Sequence, residues 1–288
     1  MDFDLLGRRA PPSRGEPAVS IASVKFSVTL GAGGDGRDPA ALARLAALAE
    51  AAGWDAFLLE DYLCYRGLPT YDPWVCLAAV AAATTRIRIG TTVTPLPRRC
   101  PWELAAQAVA VDHLSGGRLI LGVGSGAADD PAFTTAGEPM STRERAARLD
   151  EGLGLLTALW TGEPVHHHGR YYRLDGLRLP AVPVQRPRIP VWIGGDLRRQ
   201  GTRRRLTRWD GACVYLDRAL EPDDVRDIAG LVREAGRELA GYDIKVSGNQ
   251  HRLAEFADAG ATWWGQWIPP GHPSETRKSI ETGPPSLS

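Results

Sequence analysis

The sequence predicts a (β/α)8 barrel, and three observations predict it. Eight short runs recur along the chain, apolar nearly throughout as the buried strands of a parallel sheet are. A helical pattern with readable ends follows each of them. The 288 residues slightly exceed the ~250 that such a barrel takes, and no linker divides them.

In chain order the strand-like runs are VKFSVTL (24–30), WDAFLLE (54–60), RIRIGTTV (86–93), RLILGVG (118–124), RIPVWIG (188–194), DGACVYL (210–216), YDIKVSG (242–248) and ATWWGQWI (261–268). The first helix opens with Asp38 as N-cap and Pro39 behind it, and Gly53 closes it. The second repeats the device with Asp72 and Pro73. The third runs from Pro101 to a stop at Gly116. Proline just inside the start and glycine just past the end is the asymmetry that helix termini favour. Later helical patterns cover 142–162, 197–208, 222–236, 252–260 and 274–282. Residues 162–188, rich in proline and glycine, fit neither element and predict a hairpin insertion before the fifth strand. Residues 1–23 carry Arg8-Arg9 with no apolar stretch behind them, so they read as a flexible tail; 24–288 read as one barrel domain.

A formal net charge of zero points to neither nucleic acid nor an acidic membrane surface. No apolar run is long enough to span a bilayer. Cys64, Cys76, Cys100 and Cys213 are widely spaced and form no CxxC pair, which suits reduced thiols in a cytoplasmic protein.

The fourth run ends in glycines at alternate positions, Gly122, Gly124 and Gly126. A dinucleotide fingerprint needs a helix starting inside it, so that phosphate meets the helix N-terminus. Here Pro131, Gly137 and Pro139 follow and forbid an immediate helix. In a barrel the same glycines emerge at the C-terminal face, where barrel enzymes carry their chemistry. They let a flat ligand lie against backbone, or they serve a β-bulge or barrel corner with no ligand at all.

The segments AEAAGWDAFLLEDY, YDPWVCLAAVAAATTRIRIGTTVTPLPRRCPWELAAQAVAVDHLSGGRLILGVGSG, RLDEGLGLLTALWTGEPV, PVQRPRIPVWIGG and AGATWW resemble the bacterial luciferase-like monooxygenases and their deazaflavin-dependent relatives. The family fold is a luciferase-like (β/α)8 barrel with an insertion region. The resemblance implies FMN as cofactor, or the deazaflavin coenzyme as the alternative, lying across the barrel top. Thr91, Thr92 and Val93 resemble the segment where relatives place a non-proline cis peptide under the ring. Gly122, Gly124, Ser125 and Gly126 resemble the wall beside it, and Gly194 and Gly195 a turn offering amides to the cofactor phosphate. Asp61 and Tyr62 stand where many relatives have Asp-His and are the expected catalytic residues, and Ala127 stands where some deazaflavin dehydrogenases have Glu. A phenol near ~10 is a poor proton acceptor at neutral pH.

The expected function is a flavin-dependent monooxygenase: reduced FMN, delivered by a separate reductase, and O2 oxygenate a small organic substrate. Hydride transfer to a deazaflavin is the alternative, and a catalytically silent flavin-binding relative or an unrelated barrel holding a sugar phosphate at Gly194-Gly195 are further readings. The resemblance also implies a homodimer. Loops 62–72, 127–141 and 162–188 are expected to shape the substrate pocket. Of the adjacent acids Glu60 and Asp61, Asp61 is expected at the mouth, with a salt bridge to a loop arginine as the rival role. Asp196 would repel a phosphate unless Arg198 or Arg199 compensates it; Arg98 and Arg99 are candidates for phosphate contacts, as are Arg203–Arg205, which read rather as a solvated helix face. Trp264 is the tryptophan of 263–267 expected to reach the pocket. His166, His167 and His168 alternate along a strand and cannot converge on one ion, so no metal is expected. His113 reads as a helix-end residue.

Overall fold

The computed structural model describes residues 21–127, 130–136, 140–248 and 250–286. The tail expected over 1–23 lies outside the described residues up to residue 20; Ile21–Ser23 form a 3-10 turn.

Eight parallel strands close into a barrel. They are β1 (Lys25–Leu30), β2 (Ala56–Leu59), β3 (Arg88–Pro95), β4 (Leu119–Gly124), then β7 (Val191–Ile193), β8 (Gly211–Ala212), β9 (Asp243–Ser247) and β10 (Trp263–Ile268), which pairs with β1. Between β4 and β7 lies the antiparallel hairpin of β5 (Val165–His168) and β6 (Arg173–Leu177). Helices α1 (Pro39–Ala51), α2 (Pro73–Ala83), α3 (Pro101–Ser115), α5 (Thr142–Leu159), α6 (Gln200–Leu206), α7 (Pro222–Glu234), α8 (Leu253–Asp258) and α9 (Pro273–Glu281) follow successive strands. The predicted caps form. The Asp38 carboxylate accepts the Ala41 amide at 2.9 Å, Asp72 accepts the Trp74 amide at 2.8 Å, and Gly116 ends α3 in the left-handed region at φ 64°.

One turn of helix, α4 (Pro131–Thr134), was not anticipated; Asp130 caps it by accepting the Ala132 amide at 2.9 Å. It starts beyond the glycines, and the long helix begins only at Thr142, so no phosphate-binding helix opens inside the glycine motif.

The lower barrel is plugged by Ala56, Leu58, Ile120, Trp192 and Trp263. The two indoles meet edge-on at 5.4 Å, and both donate to Asp243, at 3.2 Å from Trp192 and 2.7 Å from Trp263. A shared carboxylate thus satisfies the only polar atoms these large rings bring into the core. The remaining apolar side chains pack between strands and helices. Above the plug, at the C-terminal end of the strands, lies the larger of the two spaces it divides; a smaller one below is lined by Lys25, Glu50, Asp55 and Trp263.

The hairpin does not help to shape that space, contrary to expectation. A helix-to-strand connection begins at the opposite end of the barrel, and 162–188 stays there and along the outer helices. Glu151 of α5 accepts the Tyr171 and Tyr172 amides, and Asp112 of α3 accepts the Val184 amide at 2.7 Å. Within β5, His167 bonds to Glu151 at 3.0 Å and His168 to Asp175 at 2.6 Å. Among the described residues no group of three metal-ligating side chains occurs. His113 bonds to the Val182 carbonyl at 2.8 Å, a contact to the same outer loop.

Candidate active site

A cavity of about 600 Å³ opens above the plug, and its two sides differ in chemistry. From β3, β4 and β7 comes a wall of backbone and small apolar groups: Thr92, Val93, Gly124, Ser125, Gly126, Gly194 and Gly195. Opposite stands a polar wall from β1, β2, β9 and β10: Thr29, Glu60, Lys245, Ser247 and Trp267.

The first wall is built around Val93. The Thr92–Val93 peptide is cis, at a register break between Thr91 and Thr94 in the pairing of β3 with β4. A Cβ on Gly124 would come within 2.8 Å of one Val93 methyl, and a Cβ on Gly194 within 2.5 Å of the other. Both glycines line the cavity, yet the room they leave is filled by Val93 from their own fold. The bulge reading and the ligand reading of the glycines therefore hold together: glycine seats Val93, and Val93 with the bare backbone forms a flat floor. Gly126, at φ 81°, makes way for the Phe133 ring. Thr91 and Gly122 do not reach the cavity. The Thr91 hydroxyl donates to the Gly122 carbonyl at 2.9 Å inside the sheet, and a Cβ on Gly122 would strike the Thr91 carbonyl. Their expected cofactor contact is corrected to support behind the wall.

Glu60 and Asp61 both line the cavity, and Asp61 takes the rival role, a salt bridge to loop arginines. Asp61 is fully buried at the rim, clasped by Arg98 and by Arg99, whose Nε and Nη2 lie 3.0 and 2.9 Å from its two oxygens. Arg98 also binds Asp130 and Arg99 binds Asp72, each at 3.0 Å. Asp61 is thus an anchor for the β3 loop, and neither arginine is spare for phosphate. Glu60 reaches inward, accepting the Ala32 amide at 3.0 Å and the Trp267 indole at 3.1 Å. Burial raises its carboxyl above the ordinary range, against those two hydrogen bonds and the charges of Arg37 and Lys245. Burial likewise lowers the Lys245 ammonium, which donates to Ser247 at 3.2 Å, and pushes the Cys213 thiol up to about 12. Tyr62 lies at the rim, its ring edge-on to Tyr65 at 5.0 Å.

Trp264 packs outside the barrel against Phe26, and its indole donates to the Gly248 carbonyl at 2.9 Å. Trp267 takes the place expected of it in the cavity. The β-strand period puts 263, 265 and 267 on one face, and Trp263 fixes that face as the interior. Asp196 is neutralised as expected: Arg198 hydrogen-bonds it at 3.0 and 2.9 Å and holds its carboxyl down to about 2. Arg203 pairs with Asp227, and Arg204 and Arg205 both with Asp150, so these three tie α6 to α7 and α5 rather than lying free in solvent.

Residues 19–257 match the family model described as luciferase-like monooxygenase. The chain belongs to that family. Among curated relatives, an F420-dependent glucose-6-phosphate dehydrogenase of Nocardia farcinica is 33% identical over 231 residues, 73% of this chain and 65% of the relative. One from Nakamurella multipartita is 38% identical over 167 residues, 55% of this chain and 47% of the relative. The chain therefore spans between about half and two thirds of these relatives' length. Among solved structures, the coenzyme F420-dependent tetrahydromethanopterin reductase of Methanopyrus kandleri superposes with TM-score 0.69 at 18% identity, covering 90% of this chain and 96% of that one. A monooxygenase of Streptomyces bottropensis gives 0.73 at 20%, covering 90% and 97%. At such identities the likeness is one of fold. It includes the luciferase-like barrel read from the sequence.

Sequence reasoning missed Glu60, Lys245 and Trp267. For Lys245 a signal existed: a lone cationic side chain in the run YDIKVSG, two residues from Ser247 and so on the same face of the strand.

Proposed function

We propose that this chain is an oxidoreductase that binds the deazaflavin coenzyme in the barrel mouth and moves hydride between it and a small organic substrate. The carrying observation is that curated relatives at 33–38% identity are named F420-dependent dehydrogenases. That places the deazaflavin ahead of the FMN expected first from the sequence.

The residues present suit a flat, tricyclic group. Val93 and the bare backbone at Gly124 and Gly194 form an apolar floor without projecting side chains. Two buried hydroxyls of residues that line the same cavity, Thr29 Oγ1 and Thr92 Oγ1, have no partner among the described residues. A buried polar atom left unpaired costs about 1–3 kcal/mol, so both favour a ligand with a polar edge. When bound, the coenzyme supplies a two-electron hydride acceptor; the protein's part is to bind, orient and keep water away. Thr92 stands on the floor and would help to hold the coenzyme there. Thr29, Glu60, Lys245 and Ser247 face it across the cavity and suit a hydroxyl or carbonyl of the substrate. Arg218 on the rim is paired with Asp224 at 2.7 Å, so the mouth holds its cations against its own carboxylates.

A titration of the purified protein with the deazaflavin coenzyme and with FMN, each oxidised and reduced, tests this reading. Selective deazaflavin binding is the expected result. Selective binding of reduced FMN, followed by O2-dependent product formation with a flavin reductase present, overturns it in favour of the monooxygenase. A flavin bound without turnover identifies the silent relative, and binding of neither means that the chain has lost its cofactor site.

A further inference from the structure

Lysine is scarce in this chain. Of thirty-four lysines and arginines only Lys25, Lys245 and Lys278 are lysine. Lys278 is exposed on the outside and Lys25 is exposed below the plug, over the Trp263 ring; Lys245 lies in the wall of the cavity above. The cations around the mouth are arginines, and Arg98, Arg99, Arg198 and Arg218 each hold a carboxylate. An arginine keeps its charge at any pH a protein meets, whereas a buried lysine gives up its proton readily. A chain that uses arginine for fixed charge has placed a titratable cation at the one point where its cavity is deepest in polar groups.

The surroundings of Lys245 fit that difference. Its ammonium has three donors and, among the described residues, one hydrogen bond, to Ser247. Gly265 of the neighbouring strand β10 makes room for it: a Cβ there would come within 2.6 Å of both Lys245 Cε and Nζ. The titratable groups facing it are Glu60 from β2 and the Cys213 thiol from β8, with Arg37 behind Glu60; β10 contributes only Gly265 and Trp267. Glu60 is held in place by the Ala32 amide and the Trp267 indole rather than by a direct ion pair with the lysine. Meanwhile the positions that the family resemblance associates with proton transfer hold Tyr62 and Ala127.

We propose that Lys245 is the proton-exchanging residue of this site: its neutral amine takes the hydroxyl proton of a small alcohol lying between the two walls, and its ammonium returns that proton to the carbonyl in the reverse reaction. Glu60 is its positioning residue, setting its proton affinity from across the cavity. The inference rests on the hydride-transfer reading above. With the deazaflavin bound as the two-electron acceptor, the carbinol C–H bond would break with its electron pair leaving as hydride, the O–H bond would break with its proton passing to Lys245, and the C=O bond would form. The alcohol loses two electrons and the coenzyme gains two. Burial, which moves Lys245 and Glu60 each toward its neutral form, serves this role.

The test begins with the intact protein labelled with 13C at lysine ε-carbons, which gives three resonances assigned with Lys25→Arg and Lys278→Arg. Lys245 is expected to titrate at least one pH unit below the other two, and lower again in Glu60→Gln, which removes a charge favouring the ammonium. Titration of Lys245 together with Lys25 and Lys278 overturns the proposal without any need for turnover. Propan-2-ol and glucose 6-phosphate are then supplied as hydride donors to the coenzyme. In the wild type, kcat for oxidation should rise with pH through the resonance midpoint. Lys245→Met should bind the coenzyme within about threefold of wild type while losing about 100-fold or more in kcat, with Lys245→Arg giving no rescue. A Lys245→Met protein that keeps wild-type kcat refutes the role of the lysine alone. A wild type that fails to bind the coenzyme refutes the hydride reading, and this role with it.

Discussion

Gly194→Ala tests whether the cavity floor is a seat for Val93. The added methyl would lie 2.5 Å from Val93 Cγ1 and 3.3 Å from Cγ2. Carbon atoms rest at about 3.5–4.0 Å, so Val93 or β7 must move by about 1 Å. Val93 has little freedom to comply. Its side chain is β-branched, and its other methyl already fills the space at Gly124. Overpacking of this kind costs about 1–3 kcal/mol, and here the displaced group is the floor on which the ring would rest. We expect Gly194→Ala to lower the urea midpoint accordingly and to weaken coenzyme binding at least tenfold. Val93→Ala removes both methyls in question and leaves room for the new one. The double variant should therefore be more stable than the sum of the single effects by about 1 kcal/mol or more, and should regain binding. A Gly194→Ala protein as stable and as tight as wild type, or strict additivity in the cycle, would refute the argument.

Asp61→Asn leaves Arg98 and Arg99 buried with one carboxylate each, so a loss near the lower end of the range for a broken buried pair, about 3 kcal/mol, is expected, with Tm falling by about 5 °C. An unchanged Tm with lost turnover would instead return Asp61 to the catalytic role first expected of it. Glu50 gives a pH prediction. Burial raises its carboxyl, but the amides of Ile87, Arg86 and Thr85 and the Thr85 hydroxyl outweigh that and hold it at about 2. A carboxyl depressed in the folded state contributes stability above its unfolded pKa of about 4.3, and loses it as pH falls toward the folded value. The urea-midpoint gap between wild type and Glu50→Gln should therefore be full above pH 5 and close between about pH 4 and 2. A gap independent of pH would contradict the assignment.

Much of the barrel was legible in the sequence because its signals are local. Asp38 caps α1 through the amide three residues on, Gly116 stops α3 with its own φ, and the proline behind each N-cap acts within one turn. The apolar runs likewise announce strands buried on both sides. That same property hid the site. A strand such as β2, buried at all four positions, carries a period of two but no mark of which face is the interior. The roles of Glu60 and Asp61 were therefore open to the sequence, as was the choice between Trp264 and Trp267, which went to Trp267, the residue not expected. The phase is set by partners far along the chain: Trp267 donates to a carboxylate 207 residues away, and Asp61 is claimed by arginines 37 and 38 residues on. So it is with the glycines. Their spacing announces a backbone brought close to something, and only closure of β3 against β4 and β7 shows that the something is Val93. The chain by itself determined its elements and their order, because those follow from contacts within a turn or a strand. Which side chains meet in the cavity, and in what electrostatic company, was decided by closing the barrel, because eight strands drawn from the whole length of the chain must share one interior.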